Sequence, residues 1–388
     1  MDIKTLLEGI EKLINFIFGG HPPEWLIPTL YWTVGIGSFF SGTVVVLSHA
    51  RKLWTDVLQP IYYNPEQKRR RSRRRMFADI MEAEIRRLNS LEAWNDNRFA
   101  ELEAEVEAEG RRKLFDIFRI GFSSVSNLHK ERSLSRALER SSERLVLVEG
   151  DPGSGKSVAL RHLAQNLAGK AHKSRSLKSL IPLYINLKQL RRMDNQPIDY
   201  KVIEKFILKT INRFNDRDVE DFLGEEFKRG LEEGTWLFLF DSFDEIPDIL
   251  SSTESDTTIR EYADAISDFL HRMNQCRGIV ASREYKGPRF LGWPKFRILP
   301  LTLDRKRELI KRTGLRLDVQ KVVTEGISQS TTDFRYLTGN PMFLNLLCEY
   351  MNKTEIPEFP RHTHKIFNDY VWKRLKHDEE RLQQRFSK

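Results

Sequence analysis

Residues Gly150 to Ser157 read G-D-P-G-S-G-K-S, directly behind the apolar run Leu145-Val146-Leu147-Val148. Glycines at this spacing let the backbone curl until successive N–H groups point inward at phosphate oxygens. In the G-x4-G-K-S pattern, Lys156 reaches the β- and γ-phosphates and the Ser157 hydroxyl binds Mg²⁺. The segment Val158 to Ala168 has helix-forming composition, so its N-terminal end adds a favourable dipole for an anion. The nucleotide-binding set expected from this loop is Gly150, Asp151, Pro152, Gly153, Ser154, Gly155, Lys156, Ser157 and Val158. The bland alternative is a glycine turn between a strand and a helix, and the downstream sequence weighs against it.

Residues Trp236 to Pro247 read W-L-F-L-F-D-S-F-D-E-I-P. The five apolar residues that open this stretch fit a strand buried on both faces of a parallel sheet. Asp241 then falls at the strand's carboxyl end, where open α/β sheets place ligand groups. An acid there holds Mg²⁺, so the expected metal set is Ser157 and Asp241. Asp244 and Glu245 follow, and either is placed to orient an attacking water. Arg283 closes another apolar run, Gly278 to Ser282, and a cation at that sheet edge senses or stabilises a γ-phosphate. The expected catalytic set is therefore Asp244, Glu245 and Arg283. The bland readings are solvated carboxylates and a surface arginine.

These residues need a frame. Strand signals recur at Leu145–Val148, Leu183–Leu187, Trp236–Phe240, Gly278–Ser282 and Phe296–Leu301, with helical stretches between them. Alternation of this kind predicts an α/β fold, a five-stranded parallel sheet flanked by helices. Beyond Leu301 the composition is helical, and Gly339-Asn340-Pro341 precedes an apolar helix with proline in an ordinary capping position. The segments expected are an amphipathic helix over 1–24, a membrane-spanning helix over 25–50 and a basic linker over 51–76. A helical linker over 77–135, the nucleotide domain over 136–302 and a helical domain over 303–388 follow.

The chain has 388 residues, 40% hydrophobic and 31% charged, with a net charge of +9. Two cysteines without zinc spacing fit a reducing compartment. Leu26 to Ser48 holds no charged residue over 23 positions. About 20 apolar residues cross a bilayer as a helix. A buried core helix and a cleaved signal peptide are the alternatives. Arginine-rich flanking sequence on the carboxyl side predicts a single-pass protein of the inner membrane with the nucleotide domain in the cytoplasm. The run Lys68-Arg69-Arg70-Arg71-Ser72-Arg73-Arg74-Arg75 has three readings: a topology signal touching anionic lipid, a solvated linker, or a nucleic-acid contact. No aromatic residue interleaves it, which disfavours nucleic acid.

Together the motifs resemble the NACHT family, within the STAND class of signalling ATPases, over about Ser141 to Leu375. The phosphate loop, the D-S-F-D-E form with Ser242 after the Mg-binding acid and Asp244 two positions later, I-V-A-S-R ending in Arg283, and G-N-P-M-F-L-N-L-L carry the resemblance. It implies a P-loop NTPase that binds ATP or ADP with Mg²⁺, with Pro341 lying against the adenine. It further implies a switch: ADP holds a closed monomer, an unknown trigger and ATP open it, and the opened protein forms homo-oligomers. Hydrolysis would be slow, and some relatives act in defence against phage with a membrane-spanning amino-terminal effector. The family pattern continues with a winged helix, and this chain is expected to stop inside or just before it. Two other classes stay open: an AAA+-like motor working on protein or nucleic acid, and a scaffold that binds nucleotide without turnover.

Overall fold

The computed structural model describes residues 12–16, 20, 23, 52, 65–91, 100–107, 128–141, 143–192, 197–211, 217–253, 255–273, 275–289, 291–353 and 358–386. The expected membrane span, 26–48, lies outside these residues. Among the described residues no helix is long and apolar enough to cross a membrane. The chain divides into two compact units: Met1–Ser72 with Arg175–Leu177, and Arg73–Ser174 with Lys178–Lys388. In the first, residues 12–16 are helical and a long helix begins. The second contains the sheet and the cleft.

The elements run α1 (Pro65–Leu91), β1 (Ala104–Glu107), β2 (Leu128–Glu131), α2 (Leu134–Arg140), β3 (Leu145–Glu149), α3 (Lys156–Lys173) and β4 (Ile181–Asn186). Then come α4 (Tyr200–Ile211), α5 (Arg217–Glu233), β5 (Trp236–Asp241), α6 (Pro247–Ser251), α7 (Ser255–Arg272), β6 (Arg277–Ser282) and β7 (Lys295–Ile298). Five helices close the chain: α8 (Leu303–Arg312), α9 (Leu317–Gln329), α10 (Thr332–Leu337), α11 (Pro341–Met351) and α12 (His364–Phe386).

The sheet has seven strands in the order β2-β1-β7-β3-β6-β5-β4, where five were expected. The five expected strands are there, paired in parallel. The two extra strands form an antiparallel pair, and β1 adds antiparallel to the edge strand β7. Their sequences, A-E-V-E and L-H-K-E, have poor strand composition, so the composition of 77–135 read as helical. Pairing with an open edge overrides that local preference: among the described residues of the stretch, helix runs to Leu91, strand occupies Ala104–Glu107 and Leu128–Glu131, and helix resumes at Leu134. The expected basic linker over 51–76 is likewise helical from Pro65 onward.

Strand period places the core. In β5, Trp236, Phe238 and Phe240 face one layer with α1, α4, α5 and α7, while Leu237 and Leu239 face the other with α2, α3, α8 and α11. Both layers are apolar, so β3 and β5 are buried along their whole length. A strand buried on both faces delivers Asp241 and the phosphate loop to the sheet's carboxyl edge on a rigid support.

Part of the arginine run belongs to this core. Arg74 donates to Thr235 Oγ1 at 3.2 Å and to the Ser179 carbonyl at 2.9 Å, and its guanidinium lies 6.0 Å from the Trp236 ring centroid. Arg75 donates to the Ser174 carbonyl at 3.0 Å, and Arg73 pairs with Glu225. These three side chains are engaged within the nucleotide domain.

Candidate nucleotide site

The loop between β3 and α3 is built by its glycines. Gly153 and Gly155 have φ of +75° and +93°, values that side chains with a Cβ rarely adopt. A Cβ on Gly153 would also sit 2.8 Å from Asn340 Oδ1 and 2.9 Å from Met342 Cβ. The loop is thus pressed against the start of α11, where Asn340 Nδ2 donates to the Pro152 carbonyl at 2.7 Å and Met342 N donates to the Gly153 carbonyl at 3.2 Å. Asn340 does double duty, since its Oδ1 also caps α11 by accepting from Met342 N. Sequence reading assigned Pro341 here and missed Asn340.

Lys156 opens α3, whose N-terminus has no side-chain cap, and its Nζ donates to the carbonyls of Gly150 at 2.6 Å and Asp151 at 3.0 Å. Among the described residues no carboxylate lies within ion-pairing distance of Nζ. Burial therefore lowers its pKa, opposed by the nearby field of Asp244 and Asp241. A partly buried cation held by two neutral oxygens beside an uncapped helix N-terminus is a place for an anion.

Ser157, one residue on, donates to Asp241 Oδ1 at 3.1 Å, and Tyr184 donates to Oδ2 at 2.6 Å. Asp241 is buried, and desolvation raises its pKa while these two hydroxyls pull it back down. Hydroxyl and carboxylate oxygens side by side are the hard donor set that Mg²⁺ takes. Among the described residues there is no group of three or more His, Cys, Asp or Glu that would hold a metal unaided. Tyr184 had no sequence signal beyond its place in an alternating strand.

Ser242 follows at φ +62° and ψ +48°, the one non-glycine residue with positive φ among the described residues. That turn, costing about 1–2 kcal/mol, aims Asp244 and Glu245 back across the sheet edge. Asp244 is buried and accepts from Arg283 N at 2.9 Å and Ser282 Oγ at 3.4 Å, with Arg283 Nε at 3.2 Å from its other oxygen. Glu245 is partly exposed between Arg283 at 2.8 Å and Lys188 at 2.8 Å. Lys188 comes from the turn after β4 and was not foreseen.

These groups converge on one cleft of roughly 600 Å³. Pro152, Gly153, Gly155, Lys156, Ser157, Val158, Asp244, Glu245, Arg283 and Pro341 line it. Of the other expected residues, Gly150 and Asp151 contribute carbonyls to Lys156, and Ser154 N bonds back to Asp151 within the loop. Asp241 stands behind Ser157. Apolar side chains such as Leu102, Leu301, Leu309 and Met342 complete the lining and suit the face of an aromatic base.

Residues 144–314 match the model of the NACHT domain. The match supports a NACHT-family P-loop NTPase, a nucleotide-binding NTPase of the STAND type. It covers the phosphate loop, Asp241 to Glu245 and Arg283; Pro341 and the helices after α8 lie beyond the NACHT match. No curated protein matches the chain. Among solved structures, a chain of the E. coli MS115-1 HORMA:CdnC:Trip13 complex is similar at 9% identity, covering 58% of this chain and 74% of that one, with a TM-score of 0.36.

Proposed function

We propose that the protein is a slow, Mg²⁺-dependent ATPase that works as a nucleotide-gated switch. The observation that carries the reading is the partly buried Lys156 cation, held only by loop carbonyls at 2.6 and 3.0 Å at the uncapped start of α3. Lys156 and the loop N–H groups would bind the phosphates, and Ser157 and Asp241 would hold Mg²⁺. The metal supplies neutralisation of charge on the phosphates. Glu245, partly exposed, orients the attacking water. Asp244 is already committed to Arg283 and Ser282 and positions that arginine. Arg283 exchanges part of its carboxylate pairing for the γ-phosphate, so the protein's contribution is placement and charge.

The switch follows from the seam between loop and helices. Asn340 and Met342 tie α11 to the carbonyls of Pro152 and Gly153, so a change at the loop reaches the helical domain through two hydrogen bonds. Opening on ATP, homo-oligomerisation, membrane attachment through 26–48 with a cytoplasmic domain, and a role in defence against phage extend this reading from the sequence resemblance. The test is purification in detergent, identification of the co-purifying nucleotide, and turnover beside Lys156→Ala. Bound ADP with turnover below about 1 s⁻¹, the low edge of ordinary enzymes, supports the switch. Empty protein with fast turnover favours a motor instead.

A further inference from the structure

The cleft contains a polar group that the phosphate chemistry does not use. Asn345 lines it from α11, one helical turn beyond Pro341 and on the same face as Met342. Its Nδ2 donates to Glu349 Oε1 at 3.0 Å, and Lys373 on α12 pairs with Glu349 Oε2 at 2.9 Å. An ionised carboxylate only accepts hydrogen bonds, so Glu349 takes the amide's nitrogen and leaves the oxygen turned the other way. Asn345 Oδ1 carries no hydrogen bond among the described residues. The cleft is thus lined, beside the apolar side chains suited to a base, by an amide whose nitrogen is held by Glu349 and whose oxygen is left to accept.

We propose that Asn345, its amide orientation set by the Glu349–Lys373 pair, selects adenine by accepting a hydrogen bond from the amine on C6 of the base. A base with a carbonyl at C6 would set two acceptors against each other and leave both unpaired, the kind of mismatch that discriminates most strongly in a closed site. The inference rests on the nucleotide reading above and deepens it.

The test is competition binding in Mg²⁺, ADP against inosine diphosphate, which carries a C6 carbonyl in place of the amine. Wild type should prefer ADP by about tenfold or more, the scale of one hydrogen bond. Asn345→Leu should bring the ratio close to one. Glu349→Leu frees the amide to turn its nitrogen inward, so inosine diphosphate should bind more tightly than to wild type. Glu349→Gln, with Lys373 on its one oxygen, turns a donor toward Asn345 and should likewise weaken the preference for ADP. A gain of binding by the wrong base is something a merely structural role for Glu349 would not produce. Equal binding of the two nucleotides by wild type, or an unchanged ratio in Asn345→Leu, overturns the assignment and leaves the phosphate site intact. Failure of wild type to bind either nucleotide overturns the nucleotide reading and this inference with it.

Discussion

Arg74 and Arg283 hold the same charge in opposite settings. Arg74 is 4% exposed, wedged between Trp236, Thr235 and Ser179 under the edge of the sheet. The Arg283 side chain is 41% exposed and grips two carboxylates, Asp244 and Glu245, at the mouth of the cleft. The first is locked by partners that nothing else can replace. The second is paired in a way that an incoming phosphate can compete with. The contrast teaches that burial with unique partners makes an arginine structural, and a wet, re-partnerable ion pair leaves it available for chemistry.

The largest effect that sharpens this contrast is expected in turnover. Arg283→Ala should lower ATP hydrolysis by about 10²–10³-fold, the scale of losing one transition-state donor. The same change frees the solvent-facing Glu245 but strips one oxygen of the buried Asp244, which keeps its bonds from Arg283 N and Ser282 Oγ, and should cost about 1–2 kcal/mol in unfolding free energy. Arg74→Ala should do the reverse, costing about 2–3 kcal/mol in denaturant unfolding through the stranded carbonyl and hydroxyl. Its ATP affinity, measured well below the melting point, should match wild type. If Arg74→Ala melts like wild type, its α1 contacts are incidental and the contrast fails.

Asp241 gives a smaller and signed effect. Its folded pKa is raised by burial above the ordinary value of 3.8. Between those two values the folded state binds more protons than the unfolded state, so stability falls as pH rises through that window and stays reduced above it. Asp241→Asn removes this cost. In Mg²⁺-free buffer at neutral pH its melting temperature should be no lower than that of wild type, and its acid-side slope should flatten. In binding assays Mg²⁺ should no longer tighten ATP. The smallest effect belongs to Arg73→Ala, which removes an ion pair with the exposed Glu225 and should change stability by less than about 1 kcal/mol.

The phosphate end of the cleft was legible in the sequence because its chemistry is local. Gly153 and Gly155 fix their own backbone, Lys156 and Ser157 follow on the same turn, and Asp241 ends an apolar run whose double burial the composition announces. What escaped came from elsewhere in the chain. Tyr184 reaches Asp241, Lys188 reaches Glu245 and Asn340 reaches the loop only after the sheet has formed, and neither an alternating strand nor a G-N-P turn tells which side chain makes the contact. The strands β1 and β2 were read as helix because glutamate and lysine carry no strand signal, and an open sheet edge decided otherwise. Charge runs are the hardest case. Arg73, Arg74 and Arg75 look alike in sequence and differ only in what α1 presents them to.

Lys156 is the cation on which nucleotide binding in this cleft depends most. Calorimetric titration of wild type and Lys156→Ala with ATP and Mg²⁺, both shown folded by thermal melting, tests it most directly. Saturable one-site binding by wild type, lost in the variant, is the expected result. Equal binding by the two proteins would contradict the assignment of this cleft to nucleotide.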